Sequence, residues 1–254
     1  MSNFIRSKFQ SATPDNALLI SGVCFSKQDF SDKEFALSEV DSPSELSRAV
    51  SGRRAEYLAG RVAAKRGLAH VGHLDKQVEI SSSRAPQWPE GIRGAISHTN
   101  DVAVAMLSKD YNVGIDVERT MSLEYMCQTL ELISTSDERN IIGALEKKEG
   151  YSSRQSTLLF SAKESIYKCL YPKVNKYFDF LDATLISLDI ENKKLTFKIN
   201  KNLSKEIKNG YSVSVYYSYK DRMCMTAAID KESFSENEQY DIIEMLDLAT
   251  NIAF

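Results

Sequence analysis

Several features that mark common protein classes are missing from this chain of 254 residues. Its four cysteines form no CxxC pair and none has a histidine at the spacing of a zinc site, so we interpret them as reduced thiols. The sequence contains no run of about 18 apolar residues, as a membrane-spanning helix requires, and its amino terminus lacks the apolar segment of a signal peptide. We therefore expect a cytoplasmic protein with no membrane span.

An excess of basic residues is also absent. The formal net charge is −3, with 32 Lys and Arg against 35 Asp and Glu. Proteins that attract nucleic acid or anionic lipid by charge carry a basic face or tail, so neither partner is expected. A hydrophobic content of 43% and a charged content of 26% allow a large buried core, in one domain or two small ones.

Apolar runs of strand length recur along the chain. The first lies at 18–25. Two more, at 102–107 and 113–117, flank the polar turn 108–112 and predict a β-hairpin. The second half of the chain predicts two further strand pairs, 183–190 with 195–199 and 211–219 with 223–229.

Segments with the apolar spacing of helices separate these strands. The sequence Asp41-Ser42-Pro43-Ser44 offers a start for the first helix. The predicted helices are 46–68, 122–133, 136–148, 153–171 and 236–250. Pro172 is expected to end the fourth, because proline cannot continue the hydrogen-bond pattern. Strands and helices in mixed order predict an α+β fold.

The segment VGIDVE at 113–118 places two carboxylates on one strand face. A period of two points Asp116 and Glu118 the same way as Gly114, while the apolar residues between them point to the other face. Adjacent like charges are unfavourable unless a cation lies between them, and a hard cation with oxygen ligands would fit. An exposed strand end is the alternative for such a pair taken alone.

A lysine lies at the centre of an apolar helix face in the segment FSAKESIYK at 160–168. Because a buried ammonium is costly, Lys163 needs either an anionic partner or a path to solvent. Glu164 and Lys168 lie beside it at the i,i+4 spacing of an ordinary helix salt bridge. An ordinary salt bridge explains that pair, but not the position of Lys163.

Three arginines border the apolar stripe of the first long helix, with Arg53 on one side and Arg54 and Arg61 on the other. They fit either surface residues or the bidentate recognition of phosphate. Ser97 and His98 are placed in a loop before the predicted hairpin. There they could donate hydrogen bonds to an anion or could be merely structural.

In their order along the chain, these segments resemble the large single-chain 4'-phosphopantetheinyl transferases, especially the enterobactin synthase component D type. The surfactin-synthetase-activating enzymes are more distant relatives. GIDxE followed by KESxxK is a specific combination. Phe160 replaces a Trp of the surfactin type and Ala95 replaces a Ser or Gly, which bears on subtype rather than activity. The matching segments are RRAEYLAGR, RAPQWPEG, GAISH, VGIDVE and FSAKESIYKCLYP, within residues 53–172.

The resemblance implies two similar α+β halves, residues 1–116 and 117–254, related by a pseudo-twofold axis with the active site in the cleft between them. It implies transfer of the 4'-phosphopantetheine group from coenzyme A to a serine of an apo peptidyl, aryl or acyl carrier protein. Adenosine 3',5'-bisphosphate would be released, and the pathway would make a siderophore or another nonribosomal peptide. It also implies Mg²⁺, with Mn²⁺ possible. We expect a monomer, since both halves lie in one chain.

The resemblance also implies residue roles. Asp116, Glu118 and Glu164 would be metal ligands. Lys168 would neutralise the leaving group, and Lys163 would help to hold the diphosphate. Either Glu164 or a metal-bound water would take the proton of the carrier serine. The residues implied to bind coenzyme A, mainly around its 3'-phosphate, are Arg53, Arg54, Arg61, Arg84, Ser97, His98, Lys163 and Lys168.

Two other functions stay open at this point. A metal-dependent phosphohydrolase or nuclease could use the same three carboxylates around a cation, although the chain has few further acidic clusters and little basic surface. A noncatalytic module that binds carrier proteins would leave both motifs unexplained. Only a transferase would add mass to a carrier protein.

Overall fold

Strands in the first half of the chain form a four-stranded antiparallel sheet and a small ribbon. The computed structural model describes residues 3–81, 83–144 and 153–253. The sheet has the order β1-β2-β6-β5, and β3 pairs with β4 in the ribbon. The strands are β1 (Ile5–Ala12), β2 (Leu18–Phe25), β3 (Glu79–Ile80), β4 (Pro86–Gln87), β5 (Arg93–His98) and β6 (Val102–Ser108).

Strands in the second half form a five-stranded antiparallel sheet of order β7-β11-β10-β9-β8. Its strands are β7 (Val113–Arg119), β8 (Ala183–Asp189), β9 (Lys194–Ile199), β10 (Ser212–Lys220) and β11 (Met223–Ile229). The pairs β8 with β9 and β10 with β11 confirm the two strand pairs predicted in this region.

The hairpin predicted from 102–107 and 113–117 is wrong, because these strands belong to different sheets. Both edges of β6 are occupied by β2 and β5, and β7 pairs with β11 instead. The chain changes sheet in the polar turn at 109–112. There the Ser108 hydroxyl accepts hydrogen bonds from the backbone N–H groups of Asp110 and Tyr111, each at 3.1 Å. The boundary predicted between residues 116 and 117 therefore falls inside β7.

Six α-helices accompany the sheets in the described residues. They are α1 (Lys33–Leu37), α2 (Ser51–His70), α3 (Leu123–Ile133), α4 (Ser136–Gly143), α5 (Ser153–Val174) and α6 (Glu236–Ala253). None of the helices that the structure describes is long and apolar enough to cross a bilayer.

Two helix ends differ from the prediction. The helix expected from residue 46 begins at Ser51, because Val50 has an extended backbone with ψ of 152° and a separate 3₁₀ helix covers Ser44–Leu46. Helix α5 continues through Pro172 to Val174. Pro172 has no N–H to donate to the carbonyl oxygen of Lys168, and the helix ends two residues later. Residues 145–148 of the helix predicted at 136–148 lie outside the described residues.

Each sheet carries one long helix on one face, α2 on β2 and β6 and α5 on β7 and β11. Helix α6 packs on the other side, in a core that joins apolar residues of both sheets. A mixed architecture of helices and antiparallel sheets is therefore observed, as an α+β fold requires.

Helix α5 approaches β7 unusually closely at Gly114. A Cβ atom on Gly114 would lie 1.9 Å from the Ser165 carbonyl oxygen, so only glycine permits this contact. The Ser165 hydroxyl donates to the carbonyl oxygen of Thr226 on β11 at 3.0 Å, which ties the same turn of the helix to the sheet. This packing holds the polar residues of α5 beside the carboxylates of β7.

Candidate active site

Asp116 lies at the centre of a buried polar cluster formed by β5, β7 and α5. It is 2% exposed, and its Oδ1 accepts hydrogen bonds from Lys168 Nζ at 2.7 Å and from Ser97 Oγ at 2.8 Å. Lys168 Nζ also donates to Ser97 Oγ at 3.2 Å and to the Ile115 carbonyl oxygen at 3.1 Å. The lysine therefore forms its ion pair with Asp116 across the helix–strand contact.

Glu118 and Glu164 share the electrostatic environment of this cluster. Burial raises the pKa of Glu118 to about 8, the charges of Asp116 and Glu164 add to this, and Lys168 opposes it. Burial also raises the pKa of Glu164, with Asp116 adding and Lys168 opposing. One lysine therefore faces three carboxyl groups, which we call the carboxylate centre: Asp116, Glu118 and Glu164.

The alternation predicted for β7 is confirmed. Val113, Ile115 and Val117 are buried in the core that contains α6. The other face of the strand carries Gly114 against α5 and the buried Asp116. The exposed strand end considered for the acidic pair is therefore excluded for Asp116.

The donor set of the carboxylate centre suits a hard cation. Asp116 Oδ2 is buried and has no hydrogen-bond partner in the part of the chain that the structure describes, so it has an oxygen lone pair to offer. Among residues 3–81, 83–144 and 153–253, no three His, Cys, Asp or Glu side chains are grouped so that they could hold a metal ion by themselves. Magnesium is usually held by one or two carboxylates together with substrate phosphates, so the residues fit such an ion.

A second site, which we call the cation pocket, lies between α2 and β5. It is a cavity of about 440 Å³. Its basic lining residues are Arg53, Arg61, Arg84 and His98, and Glu45 lies at its edge. Glu56 and Tyr57 complete the α2 side. Guanidinium groups around a cavity of this size are suited to bind phosphate.

Neighbouring groups fix the side chains of the cation pocket. Arg53 Nη1 lies 2.9 Å from His98 Nε2. Arg61 is buried, donates from Nη2 to the Glu79 carbonyl oxygen at 3.3 Å, and stacks with its Cζ 4.6 Å from the centroid of the Tyr57 ring. Burial lowers the pKa of His98, and Arg53 adds to this while Glu56 opposes it. At neutral pH the imidazole is therefore uncharged.

A larger cavity of about 810 Å³ extends from the cation pocket to Lys168 and is lined by residues of both halves of the chain. It shares Arg84, Pro86 and Ile96 with the cation pocket and is lined at its other end by Lys168. We call it the aromatic groove after its large side chains, Trp88, Tyr167 and Tyr171. One ligand lying in this groove could contact both the cation pocket and Lys168, which is bonded to Asp116 of the carboxylate centre.

Two family models match this chain in succession. The 4'-phosphopantetheinyl transferase N-terminal domain matches residues 42–108, and the 4'-phosphopantetheinyl transferase superfamily matches residues 112–225. The chain belongs to the 4'-phosphopantetheinyl transferase superfamily. The first match contains the cation pocket and the second contains the carboxylate centre.

Curated relatives agree with this assignment. Enterobactin synthase component D of Salmonella typhi is 40% identical over 144 residues, which are 54% of this chain and 59% of that protein. Enterobactin synthase component D of Escherichia coli (strain K12) is 33% identical, with coverages of 56% and 66%. The 4'-phosphopantetheinyl transferase Svp of Streptomyces mobaraensis is 30% identical, with coverages of 62% and 64%. The matches thus span less than two thirds of these relatives.

Most of the residues implied by the phosphopantetheinyl transferase resemblance come together in the structure. At the carboxylate centre these are Asp116, Glu118, Glu164, Lys168 and Ser97, and at the cation pocket they are Arg53, Arg61, Arg84 and His98. The placement of Ser97 and His98 in a loop is wrong, because both lie on β5, which pairs with β6. Ser97 is already bonded to Asp116 and Lys168.

Lys163 lies outside the carboxylate centre. Its ammonium group pairs with Glu138 Oε1 at 2.7 Å and donates to the carbonyl oxygens of Ile133 at 2.7 Å and Phe180 at 3.0 Å. The side chains of Lys163 and Glu138 are 1% and 0% exposed. The predicted anionic partner therefore exists, but binding a diphosphate would require Lys163 to give up these contacts.

Arg54 also lies apart from the cation pocket, since it pairs with Asp32 at 3.3 Å and does not line the cavity. Sequence reasoning missed two glutamates. Glu56 pairs with Lys27 and Arg53, and Glu138 pairs with Lys163 in the core. A signal for Glu138 was present in the spacing of Thr135 and Glu138, which form a capping box at the start of α4. Glu56 lies three residues after Arg53 on α2, the spacing of a helix pair.

Proposed function

We propose that this protein transfers the 4'-phosphopantetheine group of coenzyme A to a serine of an apo carrier protein, as a cytoplasmic monomer. The observation that supports this most directly is the meeting of both family motifs at one point: Lys168 of KESxxK contacts Asp116 of GIDxE at 2.7 Å. The names of relatives, enterobactin synthase component D among them, favour a carrier of siderophore or other nonribosomal peptide synthesis.

We further propose that the two sheets with their long helices are similar halves related by a pseudo-twofold axis. The division then lies in the turn at 109–112, where the chain changes sheet, instead of between residues 116 and 117. The aromatic groove is lined by residues from both sides of this turn, from Arg84 and Trp88 to Tyr167 and Lys168. It is the cleft in which we place the active site.

Coenzyme A carries phosphate groups at both ends of its nucleotide, and the protein has two sites that suit them. The cation pocket would bind phosphate through Arg53, Arg61 and Arg84, with His98 in contact with Arg53. The aromatic groove would hold the rest of the ligand. The diphosphate would then lie at the end of the groove near Lys168.

The carboxylate centre would hold Mg²⁺ through Asp116 Oδ2, Glu118 and Glu164, with Mn²⁺ as an alternative. When bound, the ion would supply charge stabilisation for the diphosphate oxygens. Lys168 would add positive charge beside the oxygen that departs with adenosine 3',5'-bisphosphate. Ser97 would keep Asp116 and Lys168 in place through its two hydrogen bonds.

Glu164 is the proposed base. In the transfer, the carrier serine oxygen forms a bond to the β-phosphorus, and the bond from that phosphorus to the oxygen of adenosine 3',5'-bisphosphate breaks. The serine proton passes to the Glu164 carboxylate, one of the three carboxyl groups around Lys168. Lys163 is left out of this set because Glu138 holds its ammonium group.

Intact-mass spectrometry of an apo carrier protein, incubated with the enzyme, coenzyme A and Mg²⁺, tests the proposal. We expect the mass of one phosphopantetheine to be added by the wild type and by Asp189→Asn, an exposed control on β8, but not by Asp116→Asn. Hydrolysis of coenzyme A without a carrier would favour a phosphohydrolase. Binding of carrier proteins with no mass gain on peptidyl, aryl or acyl types would favour a noncatalytic module.

A further inference from the structure

A carboxylate stands among the positive groups of the cation pocket. Glu56 lies on α2, its side chain is only 19% exposed, and it lines the same cavity as Arg53 and His98. Burial raises its pKa, but the hydrogen bond from Lys27 and the charges of Lys27, Arg53 and, when it is protonated, His98 outweigh this, so the pKa is lowered overall. The pocket for an anion thus contains a fixed negative charge.

The contacts of Glu56 divide between its two oxygens. Oε1 accepts from Lys27 Nζ at 2.5 Å. Oε2 lies 3.5 Å from Arg53 Nη1 and 3.9 Å from His98 Nδ1. The Glu56 carboxylate therefore contacts residues of three segments: the loop after β2, the first turn of α2 and the end of β5.

The contact between Arg53 and His98 fixes the protonation of the imidazole. A guanidinium cannot accept a hydrogen bond, so at 2.9 Å from Arg53 Nη1 the Nε2 atom of His98 must be the acceptor. The proton of the neutral ring is then on Nδ1, the atom that faces Glu56. A negative group on that side is what this arrangement requires, since it stabilises both the Nδ1–H and the guanidinium.

Glu56 could affect a bound phosphate in two opposite ways. As a nearby negative charge it would repel the anion, and removing the charge would tighten binding. As the group that holds Arg53 and His98 in place, it would reduce the cost of ordering a half-exposed arginine, and removing it would weaken binding. The contacts of Glu56 with Lys27 on its other oxygen favour the second effect, because they neutralise part of its charge and fix its position.

We propose that Glu56 is a positioning residue of the cation pocket: anchored by Lys27, it orients Arg53 toward a phosphate of the ligand, both directly and through His98, whose Nε2 accepts from Arg53. Lys27 lies outside residues 42–108, which the family model matches in this half of the chain. The inference rests on the proposed function, because it takes the phosphate to be that of a coenzyme A nucleotide.

Calorimetric titration with adenosine 3',5'-bisphosphate tests it without a carrier protein or a metal. For Glu56→Gln we expect the Kd to rise about tenfold, since Gln keeps the shape of the side chain but removes the charge that holds Lys27 and Arg53. Lys27→Met should raise the Kd less and should add little to Glu56→Gln in the double variant, because the two residues act as a unit. In turnover assays the KM for coenzyme A should rise while kcat stays within about twofold.

Glu39→Gln is the matched control. It breaks the pair of Glu39 with Lys65 Nζ at 2.9 Å, near the other end of α2, and should leave the Kd unchanged. A Glu56→Gln variant that melts like the wild type but binds the bisphosphate equally or more tightly would overturn the inference. If that variant does not fold, an unchanged Kd in Lys27→Met would overturn it. Failure of the wild type to modify carriers would instead refute the proposed function and leave the comparison of Kd values intact.

Discussion

The cation pocket and the carboxylate centre, which Lys168 links to the aromatic groove, are built in opposite ways. The pocket offers positive groups, of which Arg53 is about half exposed. At the centre Asp116 is buried, Glu118 and Glu164 are partly buried, and the single lysine is already bonded to Asp116. The pocket therefore presents positive groups to an anion before any ligand is bound. The centre has three carboxyl groups and one lysine, so a bound cation would be needed to balance the charge of the ionised carboxylates.

This difference separates binding from chemistry. Groups that contact the substrate and the transition state equally contribute mainly to affinity, as we expect for the pocket arginines. Groups placed beside the reacting atoms become useful when charge changes there, as we expect for the carboxylate centre. We therefore expect substitutions in the cation pocket to change KM and substitutions in the carboxylate centre to change kcat.

The largest effect is expected from Asp116→Asn. The substitution removes the charge that pairs with Lys168 and the free oxygen offered to a metal, so kcat should fall by roughly a thousandfold. Steady-state assays of carrier modification measure it. Because Asn keeps the size of the side chain, the Kd for adenosine 3',5'-bisphosphate in the absence of metal should stay within about twofold. If the Kd for adenosine 3',5'-bisphosphate rose as much as kcat fell, the two sites would not act separately.

Lys163→Met should mainly reduce stability, in contrast to Lys168→Met. Removing the ammonium leaves Glu138 buried without its charge partner, and the free energy of unfolding should fall by about 3–5 kcal/mol. Urea denaturation measures this loss. Lys168 is partly exposed, so Lys168→Met should cost less stability but should lower kcat. If Lys163→Met were as stable as the wild type but bound coenzyme A more weakly, Lys163 would have to be assigned to the coenzyme A site.

Gly114→Ala tests the close contact on which the carboxylate centre depends. The added methyl group would overlap the Ser165 carbonyl oxygen, so α5 must move away from β7. We expect a loss of about 1–3 kcal/mol in unfolding free energy, the usual cost of overpacking. Thermal denaturation and activity are measured on the same sample. Gly143→Ala, where nothing lies within 4 Å of the added Cβ, is the control.

The smallest expected effect is a difference in the KM for coenzyme A between variants of two neighbouring arginines, Arg53 and Arg54. Arg53→Gln should raise the KM for coenzyme A about tenfold with little change in kcat, because the residue lines the pocket. Arg54→Gln should change neither constant, since Arg54 pairs with Asp32 outside the cavity. Equal increases in KM for both variants would contradict the assignment of the pocket to one face of α2.

Local patterns predicted much of the fold. The strand pairs of β8 with β9 and β10 with β11 are hairpins, whose partners are neighbours in sequence, so alternation and turn residues were sufficient. The supposed hairpin of β6 and β7 failed because pairing there is decided by β5 and β11, which are distant in sequence or weakly patterned. Strand β1 was missed since most of its residues are exposed or polar.

The candidate site shows the same limit. The motifs that carry the family resemblance predicted a common site for Asp116, Glu164 and Lys168, which lie on one strand and one helix that pack together. The role of Lys163 could not be read in this way. Its partner Glu138 lies on another helix and meets it only in the folded core. Glu56 was missed because the partner that fixes it, Lys27, comes from the loop after β2.

The most direct test of the account is a calorimetric titration of coenzyme A with and without Mg²⁺ in the wild type, Asp116→Asn and Arg53→Gln. We predict that Mg²⁺ tightens binding in the wild type and in Arg53→Gln but not in Asp116→Asn, and that Arg53→Gln weakens binding equally with and without the ion. A gain from Mg²⁺ that persists in Asp116→Asn would contradict the claim that the carboxylate centre receives the metal.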